Sequence, residues 1–305
     1  MKRKILLFLL SALLVLTTAF GLTACDNTTR LEDGLKLKLT DNKEYIVTGY
    51  NGSDEIVSIP STYKNKPVTA ISNSAFSNCK SLTAVLIPDS VEQIGDFAFA
   101  GCDLLTSIII PDSVEVLGKF AFFTCNSLTG VVIGDSVQTI GDSTFQECSS
   151  LTTVTIGKRV RTIGDLAFAD CTSLKDVSTG DRVETMGYCA FYGCASLTSI
   201  LIPNSVQTIG DGVFARCESL TGVVIGESVQ TIGREAFANC SSLREVYYNG
   251  NARDWDKINI NNTNGYNYNL IHATRYYYIE YKQNVPNDGG NYWHYVNGIV
   301  NVWKN

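Results

Sequence analysis

Eight cysteines recur at a constant interval of 23 residues: Cys79, Cys102, Cys125, Cys148, Cys171, Cys194, Cys217 and Cys240. Thiols so spaced invite three kinds of chemistry: metal binding, disulfide formation and nucleophilic attack. No ladder pair has the spacing of about two to four residues that puts two thiolates on one ion, and the repeats contain no histidine. Cys189, five residues before Cys194, is an extra in a single unit. Disulfides between successive units would have a suitable Cα separation. In-register neighbours, however, point their Cβ bonds in parallel, which is poor disulfide geometry. With Cys25 set aside, the count is also odd. The favoured reading is a ladder of small buried hydrophobes.

Nor do other residues assemble a reaction centre. A nucleophile needs a base beside it. The two histidines, His272 and His294, lie outside the repeats in no recognisable motif. Ile-Gly-Asp recurs as punctuation between units, and no Gly-rich phosphate loop is present. The turn acids Asp89, Asp112, Asp135, Asp181 and Glu227 recur without the glycine-rich nonapeptides of calcium-binding solenoids, and Asp is an ordinary turn residue. The chain is therefore expected to be no enzyme, with no metal and no cofactor.

The interval itself organises residues from about 71 to 248. A fixed short period means a solenoid, in which each unit buries its apolar residues only by stacking on its neighbours. Within each unit Leu105-x-x-Ile108-x-Ile110 recurs, as Leu128/Val131/Ile133 and Leu151/Val154/Ile156. β-branched residues two apart, stopped by Pro or Gly, predict a short strand. Val-x-x-Ile-Gly follows, then Ala-Phe-x-x-Cys, where Phe and Cys three apart suit one helical turn. Eight stacked strands would make a parallel sheet on the order of 40 Å long.

The pattern Leu-x-x-Val-x-Ile-Pro-x-Ser-Val-x-x-Ile-Gly-x-x-Ala-Phe-x-x-Cys resembles the BspA-type leucine-rich repeat. That resemblance implies a right-handed α/β leucine-rich-repeat solenoid of about eight 23-residue rungs. A parallel β-sheet would cover one face and short helical turns the other, with β-rich caps at both ends. It also implies a bacterial surface protein that binds a protein ligand, either a host matrix protein or a bacterial surface protein. One unit departs from the pattern. Thr179 takes an inward isoleucine position and Met186 replaces the next, so that rung is expected to be the weakest.

Contact work would fall to the strand residues that face out between the inward positions. Down the stack these are Leu86, Ile109, Val132, Thr155, Ser178, Leu201, Val224 and Tyr247, beside a column rich in threonine from Thr83 to Thr221. Leu86, Ile109, Val132, Leu201, Val224 and Tyr247 are the candidate ligand contacts. Strand propensity alone accounts for β-branched residues there equally well.

The ends differ in kind. Lys2, Arg3 and Lys4 precede the apolar run Ile5 to Phe20, and Leu22-Thr23-Ala24-Cys25 closes it. This reads as a secretory signal over residues 1–24. Cys25 resembles the lipidated cysteine of a bacterial lipobox, which implies a protein held to the membrane by lipid outside the cytoplasm. Removing the signal takes three of 24 basic residues and none of the 30 acids, moving the net charge from −6 to −9. With no basic run, nucleic acid is not an expected partner.

Residues 25–34 read as a tether and 35–70 as an N-terminal β cap, with strands at Leu35 to Leu39 and Glu44 to Tyr50. Residues 71–248 are the repeats. Residues 249–305 form an aromatic-rich cap with a strand from Thr274 to Tyr281 and a hairpin turning at Asn297-Gly298. After residue 246 lie ten of the 15 tyrosines and all three tryptophans. Trp293, Tyr295 and Trp303 could stack on sugar rings, a glycan-binding alternative. Covering the solenoid's open end accounts for them more simply.

Overall fold

The computed structural model describes residues 34–286 and 288–303. The signal segment and Cys25 lie outside them. The chain winds as a β-solenoid, with parallel ladders on two faces rather than one.

On the first face run the expected strands. Ser107–Ile110, Gly130–Ile133, Thr153–Thr155 and Asp176–Ser178 form one parallel sheet, and Ser199–Ile202 leads a second through Gly222–Ile225 and Glu245–Tyr248. Their alternate residues, such as Ile108 and Ile110, point into the core. The second face is a continuous 12-stranded sheet that sequence reasoning did not foresee. It is built largely from two-residue strands such as Thr139–Ile140 and Thr162–Ile163, too short to carry a propensity signal of their own. At the Ile-Gly step that ends these strands, a Cβ on Gly118 would lie 2.5 Å from the carbonyl carbon of Gly95 one rung away, so only glycine fits.

The expected helical turns are not helical. Every Ala-Phe-x-x-Cys segment carries two residues in the left-handed region four apart, such as Phe97 (φ 55°) with Gly101 (φ 71°), or Phe120 with Thr124 (both φ 56°). Left-handed backbone costs a non-glycine residue about 1–2 kcal/mol. It also turns alternate N–H groups outward to the next rung: Phe99 N donates to Ala121 O at 2.7 Å and Gly101 N to Phe123 O at 2.8 Å. The N–H groups between them close within the rung, as Cys102 N does to Phe99 O at 3.2 Å. A helix would spend all these donors internally and leave successive rungs unjoined.

Eight phenylalanines, Phe76 to Phe237, stack face to face through the core with ring centroids 5.0–5.6 Å apart. All are fully buried. Tyr50 closes this column at the N-terminal end, 5.7 Å from Phe76.

At that end, Leu35–Leu39 and Tyr45–Tyr50 pair antiparallel, and Tyr45–Tyr50 then pairs in parallel with Lys66–Ile71, so this hairpin belongs to the long sheet. Ile56–Ser58 pairs in parallel with Ala84–Leu86 as the start of a rung. At the other end Thr274–Tyr278 extends the first-face sheet, followed by the hairpin Tyr292–Val296 and Ile299–Val302. Its register pairs Trp293 with Val302, His294 with Asn301 and Tyr295 with Val300, as the Asn-Gly turn predicts.

Candidate functional site

The ladder cysteines lie inside, and they do more than fill space. From Cys102 to Cys240 each thiol donates to the carbonyl of the phenylalanine one rung back, at 3.0–3.3 Å. All nine cysteines of the described residues are unpaired. Burial pushes the Cys102 thiol up to about 12, as it does that of Cys240, and raises the thiols between them as well. Cys79 has no earlier phenylalanine to bond and is half-buried. Thiols protonated and enclosed in this way are scaffold, not nucleophiles.

The turn and Ile-Gly-x side chains are likewise engaged between rungs. Asp112 Oδ1 accepts from Asp135 N at 2.8 Å, and Asp96 Oδ1 from Lys119 N at 2.8 Å. The threonine column is a third such ladder: Thr129 Oγ1 donates to Thr106 O at 3.0 Å and Thr152 Oγ1 to Thr129 O at 2.8 Å. These hydroxyls stand beside the candidate contact column with their protons already committed to the stack.

That column is held in strict register. Ile109 lies beside Val132 and Val132 beside Thr155; Leu201 lies beside Val224 and Val224 beside Tyr247. Leu86, Ile109, Val132 and Leu201 are partly exposed. Two candidate contacts need correction. Val224 is buried, at 8 % exposure, and the ring of Tyr247 reaches back over neighbouring Gly222, which offers no side chain to hold it off. Tyr247 is itself tied to the C-terminal region. It stacks on Tyr276 at 5.0 Å, meets Trp293 edge-on at 5.6 Å, and donates its hydroxyl to Glu245 at 2.7 Å. Burial, first of all, holds its phenol above the usual range.

The column is also divided, twice. Ala84–Leu86 does not join Ser107–Ile110 in one ladder, nor does Asp176–Ser178 join Ser199–Ile202, where Thr179 Oγ1 instead donates to Leu201 O at 2.9 Å. The second interruption falls at the unit expected to be weakest. It is confined to this face, because Met186 continues the long sheet beside Ile163 and Ile209.

Of the three aromatic residues expected at a glycan, one is withdrawn from the surface. Trp293 is fully buried and donates its indole N–H to Tyr248 O at 3.0 Å, so it presents no ring to a sugar. Tyr295 packs edge-on against it at 4.8 Å. Trp303 is covered on one side by His294, stacked at 3.6 Å, and its indole N–H donates to Ile279 O. His272 Nδ1 lies 2.8 Å from Tyr268 O.

Sequence reasoning missed Asn267, the fully buried residue that closes the last rung. Its Oδ1 accepts from Phe237 N at 2.9 Å, and its Nδ2 donates to Gly233 O at 2.9 Å and Asn261 O at 2.6 Å. It thus supplies the acceptor that Ala236 supplies to Phe214 one rung earlier. A lone Asn in a polar tail carries no signal of such a role.

A model of the BspA type leucine rich repeat region matches the chain in six copies, over residues 54–175 and 138–267. Among solved structures, the leucine rich repeat protein of T. pallidum is 31 % identical, with 70 % of this chain and 90 % of that chain covered and a TM-score of 0.52. A leucine-rich repeat protein from Bacteroides ovatus is 27 % identical, covering 72 % and 71 %, with a TM-score of 0.48. A leucine rich cell surface protein from Faecalibacterium prausnitzii is 21 % identical, covering 78 % and 99 %, with a TM-score of 0.44. No curated protein matches the sequence.

Proposed function

Since the chain belongs to the BspA-type leucine-rich-repeat family, we propose that it is an extracytoplasmic module for protein binding or adhesion, working through the outward strand column. The observation that carries this reading is the partly exposed apolar pair Ile109 and Val132, held in register, with Leu86 one rung before them, on a face whose neighbouring hydroxyls are already bonded. Such a face offers dispersion and apolar burial at a fixed rung spacing, with little for a small polar ligand. Leu201 continues it beyond the second interruption, while Val224 and Tyr247 serve the core and the cap. The partner is a host matrix protein or a bacterial surface protein.

The anchoring belongs to the same proposal. Leu22-Thr23-Ala24-Cys25 supports lipid attachment at Cys25, which would hold the repeats outside the cytoplasm. Among the described residues no helix is long and apolar enough to cross a membrane.

The test is binding to immobilised matrix proteins and to bacterial cells. Ile109→Lys and Val132→Lys should each weaken binding at least tenfold, while Tyr295→Ala and Trp303→Ala leave it within about twofold. The opposite pattern would replace the sheet face with the aromatic tail. For the anchor, Cys25→Ala should release the protein from the membrane fraction; retention there would show that the lipid is not the tether.

A further inference from the structure

On the edge joining the two faces, the repeat's turn is usually Asp-Ser or a close relative, as at Asp112-Ser113 and Asp135-Ser136. The serine has a structural task at three turns. Ser90, Ser113 and Ser205 donate to the carbonyls of Val68, Val91 and Val183 at 2.7, 2.7 and 2.6 Å. In two consecutive rungs an arginine stands in its place, Arg159 and Arg182. Those three serine turns begin at a proline; the arginines stand in turns that begin at Gly157 and Gly180, a form in which Ser136 and Ser228 make no such bond either, and both arginines are exposed. Two exposed arginines thus occupy the same place in adjacent rungs, where the other turns of the repeats carry serine.

The charges around them are unevenly used. Lys158 is bonded to Asp135 and Arg161 to Glu184 at 2.7 Å. Among the described residues neither Arg159 nor Arg182 takes part in an ion pair. The two arginines line an open depression of about 440 Å³ together with Asp135, Ser136, Lys158 and Asp181. No apolar side chain contributes to it. In a chain that is otherwise acidic, two free guanidinium groups one rung apart form a fork for an oxyanion.

We propose that Arg159 and Arg182 form a binding site for an acidic polysaccharide, separate from the strand column. The guanidinium groups take the carboxylate or sulfate of the polymer, while Ser136 and Asp181 accept hydrogen bonds from sugar hydroxyls. A lining of polar and charged residues alone favours a hydrated, hydroxyl-rich ligand over an acidic peptide, which would need an apolar pocket or a free strand edge for its side chains and backbone.

The test uses the full chain with three probes: polygalacturonate for carboxylate, dextran sulfate for sulfate ester, and poly-glutamate for an acidic peptide, with unmodified dextran as the neutral control. One or both charged polysaccharides should bind, with affinity falling as salt is added. Arg159→Ser with Arg182→Ser should weaken that binding at least tenfold, and the melting temperature should hold, because serine already stands at the same place in the Gly-headed turns of Ser136 and Ser228. Lys257→Gln, at a distant pair with Asp254, should change nothing. The proposal is overturned if neither polysaccharide binds, if the double serine variant binds as well as the parent, or if poly-glutamate binds at least as tightly as both.

Discussion

The thiol of Cys148 donates to the carbonyl of Phe122 across 3.1 Å, and the same oxygen accepts the backbone N–H of Cys125 at 3.3 Å. One acceptor thus ties two rungs together, and the arrangement repeats along the stack. A cysteine fits because its thiol fills a small apolar space and still offers a weak donor. Alanine would fill less and donate nothing.

Cys148→Ala is therefore expected to destabilise the fold by roughly 1–2 kcal/mol, from a small cavity and a lost weak bond. Cys79→Ala, at the half-buried head of the ladder, should cost less than half as much. Thermal melts of the two variants check the order. Equal losses would mean that the interior bond contributes nothing.

The raised thiols make stability depend on alkaline pH. A thiol held at about 12 in the folded chain, against an ordinary 9.0, keeps its proton more tightly when folded. Its contribution is complete below about pH 9 and is lost as pH climbs towards 12. Denaturation midpoints should be flat through neutral pH and fall steeply above 9. The ladder variant with all interior cysteines replaced by alanine, if it folds, should lose the part of the fall between about pH 9 and 10, while the raised phenols of Tyr247 and Tyr292 keep a fall above it.

Thiol accessibility gives an independent check. Of the nine cysteines described, Cys79 alone is half-buried, and the others should react with an aqueous thiol reagent only on denaturation. Disulfides in native material would contradict the thiol-to-carbonyl ladder.

Asn267 closes the solenoid with three hydrogen bonds in a fully buried place. Asn267→Ala should cost about 3 kcal/mol or more, because it leaves buried backbone groups of the last rung unpaired. Hydrogen exchange should show the Phe237 amide losing protection while that of Phe145 holds. Uniform loss along the chain would mean that the rungs unfold as one unit.

The interruption at Thr179 gives a local expectation. Amides flanking it on the first face, in Asp176–Ser178, should exchange faster than those of Gly130–Ile133, whose ladder is complete on both sides. Amides of the long sheet at Thr185–Met186 should show no such contrast.

How much of this was legible depends on period and on partners. The first-face strands announced themselves because β-branched residues alternate over four positions. The hairpin at Asn297-Gly298 announced itself because both turn residues take positive φ, 52° and 77°. The second sheet did not, since a strand of two residues has no alternation to read. Phe and Cys three apart pointed to a helix, and the spacing was right for a turn; left-handed residues before and after that phenylalanine make it a turn of another kind. The outward column was read in register, but its exposure was not legible, because Val224 loses its surface to side chains from the next rung.

By itself, then, the sequence determined the period, the inward residues and the family, because each unit repeats the same apolar pattern and cannot bury it alone. Only the tertiary structure decided which groups remain free. Stacking commits the threonine hydroxyls, the turn carboxylates and the thiols to neighbouring rungs, buries Trp293 and Val224, and leaves Arg159 and Arg182 unpaired. Those outcomes depend on contacts between different rungs and between the rungs and the C-terminal strands, where a single unit's pattern holds no information.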